Sequence, residues 1–184
     1  MKHPLRIILA GLLTTAVFLI ILIAAGLFDP KPVGTLQTTL PATLLHIDQA
    51  GQTIRWLAEP LPSSDFSVRG TAVWQSGTQD SGIGLAIGSE TDNLIVAVSP
   101  LGYVLVQQNG VDLLPWQPWP HVRLGDAPNE IWIDVRGDMV AIRINRELLW
   151  QGRYALPSRR LGLFGENFGE TAAFSYQSIQ IYAP

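Results

Sequence analysis

Hydrophobic and polar positions alternate most cleanly between Glu130 and Asn145. Ile131, Ile133 and Val135 alternate with Trp132, Asp134 and Arg136, Gly137-Asp138 interrupts, and Val140, Ile142 and Ile144 alternate with Ala141 and Arg143. A period of two on both sides of a Gly-containing two-residue break predicts a β-hairpin with one buried face. A second pair is predicted over Asn93 to Val98 and Tyr103 to Gln107, joined by Ser99-Pro100-Leu101-Gly102. Its first arm (LIVAV) is apolar on both faces, which places it inside a sheet pack. Further strands are expected over Thr53 to Leu57, Phe66 to Gln75, Gly82 to Ile87, Leu161 to Phe164 and Ala173 to Tyr182. Short strands at such regular spacing, without a helical period among them, predict an all-β, two-sheet antiparallel sandwich. Leu113 to His121 (LLPWQPWPH) is too rich in proline for a central strand.

The N-terminus has a different pattern. From Ile7 to Phe28 no residue is charged, and only Thr14 and Thr15 are clearly polar. A helix of that length spans roughly 33 Å, enough for a hydrocarbon core of about 30 Å. Lys2 and Arg6 precede the run and Asp29 and Lys31 follow it, so the positive-inside rule puts the N-terminus in the cytoplasm. The expected organisation is a cytoplasmic segment (1–6), a transmembrane signal anchor (7–28), a linker (29–34) and an extracytoplasmic β-sandwich (35–184). That describes a single-pass protein of the plasma (inner) membrane, with residues 7–28 in the lipid bilayer. The rival reading is a cleaved signal peptide ending at Ala24-Ala25-Gly26, although the apolar region of such peptides is usually about 7–15 residues.

Composition narrows the chemistry. Cysteine is absent, which removes disulfides, thiolate metal sites, a cysteine nucleophile and a lipidated cysteine. After residue 28 there are ten basic and fifteen acidic side chains, and Lys31 is the only lysine among them. No basic stripe is present, so a nucleic-acid partner is not expected.

From about Asp80 onward the motifs follow a recognisable order. A Gly-rich strand (Ser81-Gly82-Ile83-Gly84-Leu85) is followed by the hydrophobic strand Asn93 to Val98 and the turn Ser99 to Tyr103. A tryptophan-bearing crossover leads to Gly125-Asp126-Ala127-Pro128-Asn129, then to the hairpin, to Leu161-Gly162-Leu163-Phe164 and to a closing strand. Over roughly Phe66 to Tyr182 this order resembles β-sandwich domains of the concanavalin A-like lectin/glucanase superfamily, the fold group of laminin-G-like and keto-disaccharide hydrolase-type domains. The resemblance implies a concanavalin A-like jelly roll and says little about activity. The chain departs from the pattern in three places. Asn145-Arg146 replaces the usual Asn-Gly, Phe174-Ser175-Tyr176 replaces Phe-Asp-Asn, and the Glu-x-Asp-x-x-Glu strand of the glucanase members is missing. No catalytic residue carries over.

Read for chemistry, Glu130, Trp132 and Asp134 share one strand face, with Asp138 beyond. They form either a carboxylate-flanked aromatic platform of the kind glycoside hydrolysis uses or the solvated side of an amphipathic strand. His3, His46 and His121 are far apart and do not cluster as zinc ligands do. Asp80, Glu90, Asp92 and Asp126 lie near expected loops, where calcium would be held, but form no dense acidic loop. Gly82 to Gly84 lies inside a strand and reads as close backbone approach rather than a phosphate cradle. No cofactor or metal is expected. Trp116 and Trp119, in a proline-stiffened segment, are the expected contacts to a partner or glycan, with Asp112, Gln117 and Arg123 as polar neighbours. Their alternative is to fold back and cap the sandwich. Trp56, Trp74 and Trp150 read as ordinary strand residues.

Taken together, these features describe a non-enzymatic, membrane-anchored interaction module, an accessory subunit with protein partners in a larger membrane complex such as those of energy metabolism. The alternatives are a cell-surface glycan-binding, lectin-like domain and an unrecognised glycoside hydrolase.

Overall fold

The computed structural model describes residues 3–27, 29–63, 65–156 and 158–184, with the side chains of the N-terminal helix described from Ile8 on. Two compact units result, residues Met1–Lys31 and Pro32–Pro184.

The first unit is the helix α1, His3–Ala24. Gly26, at φ 71°, closes its C-terminal end, where the left-handed conformation suits glycine. Large apolar side chains from Ile8 to Ile23 are exposed along it. Among the described residues no helix is long and apolar enough to cross a membrane. The expected span over 7–28 finds no support there: α1 takes in that run as far as Ala24, residues 25–27 form a turn, and Phe28 lies outside the described residues.

The second unit is the expected sandwich, with thirteen strands among the described residues. They are β1 (Thr35–Leu40), β2 (Thr43–Ile47), β3 (Gly51–Pro60), β4 (Phe66–Ser76), β5 (Gly82–Gly88), β6 (Asn93–Val98) and β7 (Tyr103–Gln108). There follow β8 (Val111–Pro118), β9 (Asn129–Arg136), β10 (Met139–Ile144), β11 (Glu147–Arg153), β12 (Arg160–Asn167) and β13 (Ala172–Ala183). Sheet A has the order β1-β13-β4-β9-β10-β11, with β2 also on β13, and sheet B has the order β3-β12-β5-β6-β7-β8. All described pairings are antiparallel. β1 and β2 lie end to end along the long β13, which they pair with through its last and first residues respectively.

The hairpin phase read from the sequence holds. Ile131, Ile133, Val135, Val140, Ile142 and Ile144 all enter the main core between the sheets. Gly137 turns the chain at φ 59°. The next turn, Asn145-Arg146, keeps positive φ at both residues (51° and 76°) despite lacking the glycine. Asn145 is held there by its side chain: Nδ2 donates to His121 O and Asn129 Oδ1, and Oδ1 accepts from the Glu130 N–H. Tyr176 ties the two sheets directly. Its hydroxyl, rooted in β13, lies 2.7 Å from the carbonyl oxygens of both Gly84 and Phe164 in sheet B, and burial pushes its pKa up.

β6 is buried throughout, as its two-sided apolar pattern predicts. Its outer face belongs to a second apolar layer, made of Ala86, Ile95, Ala97, Leu105 and Phe164, with Ile54, Trp56 and Trp116 packed over them. Trp56 and Trp116 come from β3 and β8, the two edge strands of sheet B, so an edge tryptophan covers the sheet from each side. Gly82 serves this approach, and Gly84 lets β5 and β6 come close. A side chain at Gly84 would meet the Val96 backbone carbonyl, and one at Gly82 would come within 2.8 Å of the Trp116 indole.

Candidate functional site

The segment expected to be an exposed Pro-rich loop is instead the edge strand β8, which pairs only with β7 and carries irregular register around Val106. An edge position explains the tolerance of Pro115 and Pro118, since half of its backbone donors need no ladder partner. The two candidate tryptophans part: Trp116 stands in β8, and Trp119 lies just past the strand's end, where its backbone N–H donates to Gly102 O at 2.9 Å. Trp119 packs against the main core beside His121, with ring centroids 5.6 Å apart, and its indole nitrogen is buried without a partner. It is a core cap, which corrects its assignment as a contact residue. Trp116 lies on the outer face of sheet B, where its Nε1 donates to Glu166 Oε2 at 3.0 Å. The other Glu166 oxygen accepts from Gln52 Nε2, also at 3.0 Å. Both oxygens of this nearly buried carboxylate are therefore engaged in holding the indole.

Beside Trp116 opens a cavity of about 310 Å³ lined by Asp80, Ser99, Leu101, Tyr103, Trp116 and Phe168. Its residues come from five places: the approach to β5, the β6–β7 turn, the start of β7, β8 and the β12–β13 connection. The turn is built tightly. Ser99 N–H donates to Tyr103 O at 2.9 Å, Gly102 N–H donates to Ser99 O at 3.0 Å, and Gly102 sits at φ 88°. That geometry presents Leu101 and Tyr103 at the rim, with Phe168 opposite, and these side chains are 48%, 38% and 52% exposed. An apolar cavity edged by two aromatic rings, an indole, a carboxylate and a hydroxyl can stack the apolar face of a sugar ring and hydrogen-bond its hydroxyls.

Of the five residues expected at the site, only Trp116 lines this cavity. Asp112 shares the outer face but is taken by Gln107, whose Nε2 donates to its Oδ1 at 2.9 Å. Gln117 stands opposite the fully buried Val104. Arg123 is elsewhere, donating through Nη1 to Pro128 O and lining a second, polar cavity. These placements correct the expected cluster: a one-residue alternation separates Gln117 from Trp116, and the chain after β8 carries Arg123 to the other sheet. Sequence reasoning missed Leu101, Tyr103, Phe168, Ser99 and Glu166. The signal for the rim was the Leu101-Gly102-Tyr103 and Asn167-Phe168-Gly169 runs, where large apolar side chains flank glycines in turns.

The Glu130 face of β9 is neither of the expected alternatives. Trp132 is 1% exposed and lies under the Arg69 guanidinium, whose Cζ is 3.4 Å from the ring centroid. No sugar can stack on a covered ring. Asp134 is 9% exposed, accepts a hydrogen bond from the Ser67 hydroxyl and lies 3.8 Å from Arg143 Nε. The face is thus not solvated. Asp138 remains in the exposed turn, 3.7 Å from Arg153.

Burial holds the Asp134 carboxyl above the ordinary carboxylate range, against the opposing pulls of Ser67 and Arg143. With the folded value raised, the protonated form favours the fold. That contribution is fully present below the ordinary value and is lost as pH climbs through the folded one. Asp134→Asn cannot ionise, so its melting temperature is expected to gain on that of the parent between pH of about 3 and about 7. A gap that closes over this range in a thermal melt series would contradict the reading.

The four loop carboxylates considered for calcium do not converge. Asp80 borders the cavity, Glu90 pairs with Arg160 at 3.4 Å, Asp92 accepts from the Tyr154 hydroxyl at 3.0 Å, and Asp126 is exposed. Among the described residues no three His, Cys, Asp or Glu side chains gather as metal ligands do. His46 is exposed on β2 and His121 abuts Trp119, while the His3 side chain lies outside the described residues.

No protein-family model matches the chain, and no curated protein matches it. Solved structures do. The carbohydrate-binding module CBM66 from Bacillus subtilis superposes with a TM-score of 0.55 at 12% identity, covering 80% of this chain and 96% of that one. The metal-free carbohydrate recognition domain of Emp46p gives 0.53 at 12% identity, covering 77% and 87%. The transglycosylase Crh5 in its apo form gives 0.57 at 12% identity, covering 84% and 88%. At these identities the likeness is one of fold: the chain shares a two-sheet β-sandwich with these proteins, consistent with the concanavalin A-like architecture expected from its motif order.

Proposed function

We propose that this chain is a non-catalytic glycan-binding module whose sandwich receives a neutral sugar in the cavity beside Trp116. The observation that carries the proposal is the cavity wall itself: Trp116 fixed by Glu166, with Tyr103 and Phe168 exposed at the rim and Asp80 and Ser99 as polar partners. The sandwiches whose fold it shares include named carbohydrate-binding domains, which fits this reading. The non-catalytic reading is supported by Asp80 being, among the described residues, the one carboxylate lining the cavity, where glycoside hydrolysis needs a pair, while both oxygens of nearby Glu166 are taken by Gln52 and Trp116. Attachment at a lipid surface through α1 is part of the proposal, supported by its uncharged sequence and exposed apolar side chains. The accessory-subunit reading draws no support from the fold or the cavity.

The full chain, displayed on vesicles, should be retained by at least one neutral polysaccharide without releasing new reducing ends from it. It should also stay with the vesicles through high salt and alkaline washing, since charge screening does not reverse apolar burial. Hydrolysis of the retained polysaccharide would replace the binding reading with the enzymatic one. Release by salt alone would remove the lipid attachment.

A further inference from the structure

Sheet A has an outer face of opposite character. Arg69, Trp132 and Arg143 form one rung across β4, β9 and β10. Three of their donors, Arg69 Nε, Trp132 Nε1 and Arg143 Nε, are buried without a hydrogen-bond partner. Buried donors are rarely left unmet; here Arg143 Nε has only the Asp134 carboxylate, at 3.8 Å, and the Arg69 guanidinium lies on the Trp132 ring. One rung further, Thr71 and Glu130 pair and border a polar cavity of about 510 Å³ that also takes in Arg123, Pro128, Asn145 and Arg146.

The charge distribution points the same way. Acidic side chains outnumber basic ones by fifteen to ten after residue 28. Yet Arg69, Arg123, Arg136, Arg143, Arg146 and Arg153 lie on this face or at its end, against the carboxylates of Asp65, Glu130, Asp134, Asp138 and Glu147, of which Asp134, Glu130 and Asp138 pair with Arg143, Arg146 and Arg153. All six cations are arginine, whose planar fork matches a carboxylate in a way a lysine point charge does not. The arginines alternate with hydroxyl and amide groups, Thr71 and Asn145, suited to sugar hydroxyls.

We infer that the outer face of sheet A is a second binding site, for a carboxylate-bearing (uronate) polysaccharide. It is separate from the cavity beside Trp116 and does not depend on that cavity being a sugar site. Arg69 and Arg143 flank Trp132 at two strand spacings, about 9–10 Å apart, and draw the carboxylates, while Arg123 and Arg146 hold the chain at the end of the sheet. Electrostatic attraction of this kind weakens with salt.

The test uses the full chain and affinity electrophoresis in gels holding polygalacturonate, polymannuronate or polyglucuronate, each compared with its methyl-esterified form. At least one acidic polymer should retard the protein while its ester does not, and retardation should fade with salt. Arg143→Gln should weaken it about tenfold, the loss of one charge-assisted contact. Arg123→Gln, an exposed position away from the Trp132 rung, provides a variant whose fold is not at risk and should weaken it in the same direction. Tyr103→Ala, at the exposed rim of the other cavity, should leave this binding unchanged, which separates the site from the one on sheet B. Retention that persists on the ester, indifference to both arginine substitutions, or no retention by any of the three acids would overturn the inference.

Discussion

Replacing Ile133 or Ile142 with alanine is expected to destabilise the sandwich by about 2–5 kcal/mol. Both side chains are fully buried, and they face each other across the β9–β10 ladder at the centre of the main core. Neither strand is at an edge, so the surrounding sheet cannot easily collapse into the space left behind. Chemical denaturation of the parent and the two variants checks this. Glu130→Gln on the opposite face of β9 is the control, since Glu130 is half-buried and only loosely paired with Arg146, at 4.0 Å. A Glu130 effect as large as that of Ile133 would place the wrong face of β9 inward.

Trp116→Ala should have two large consequences at once. The indole covers Gly82 and the outer apolar layer of sheet B, so its loss should cost about 3–5 kcal/mol of stability. It also leaves a nearly buried Glu166 oxygen without its donor, which adds to the penalty. As the inner wall of the cavity it should also cost about 2 kcal/mol of binding, roughly thirtyfold in affinity. The expectation from sequence set a core-cap role and a contact role against each other. The structure assigns the cap role to Trp119 and leaves Trp116 able to act in both. Trp119→Ala should therefore lower stability and leave the affinity of the folded protein unchanged. If Trp119→Ala weakens binding as much as Trp116→Ala, the division between them is wrong.

How legible this was depended on the period of each segment. Strands with a clean alternation, such as β9 and β10, or with a continuous apolar run, such as β6, declared both their type and their buried face. Four strands gave no such signal. β1 (TLQTTL) and β2 (TLLHI) share one edge of β13; β1 remains largely exposed and needs no apolar face, and β2 sends only Leu45 and Ile47 into the core, too short an alternation to declare itself. β11 is the far edge of sheet A and reads ELLWQGR, with a register shift that breaks its alternation. β8 was hidden by its prolines. Yet Asn109-Gly110 precedes it with positive φ at both residues (51° and 76°), and Asn-Gly is the strongest short signal of a two-residue hairpin. Weighing that turn before the prolines would have placed β8 beside β7.

The site was legible only at Trp116, because the rest of it is a property of the turns. Tyr103, Leu101 and Phe168 reach one rim through the Gly102 turn and the β12–β13 connection, and nothing in their sequence spacing brings Phe168 within reach of Tyr103. The buried character of the Trp132 face was hidden for a related reason. Its cover, Arg69, is supplied by β4, a neighbour in the sheet but distant in sequence.

The central claim, a neutral-sugar site on sheet B, is tested most directly by calorimetric titration of a retained neutral oligosaccharide into the parent, Tyr103→Ala and Phe168→Ala. Both side chains are exposed at the rim, so their loss should change stability by no more than about 0.5 kcal/mol, keeping the fold out of the comparison. Each substitution is expected to weaken binding by about tenfold, a loss near 1.4 kcal/mol of stacking. Unchanged affinity in both variants, with the parent binding normally, would contradict the account and move the sugar away from this cavity.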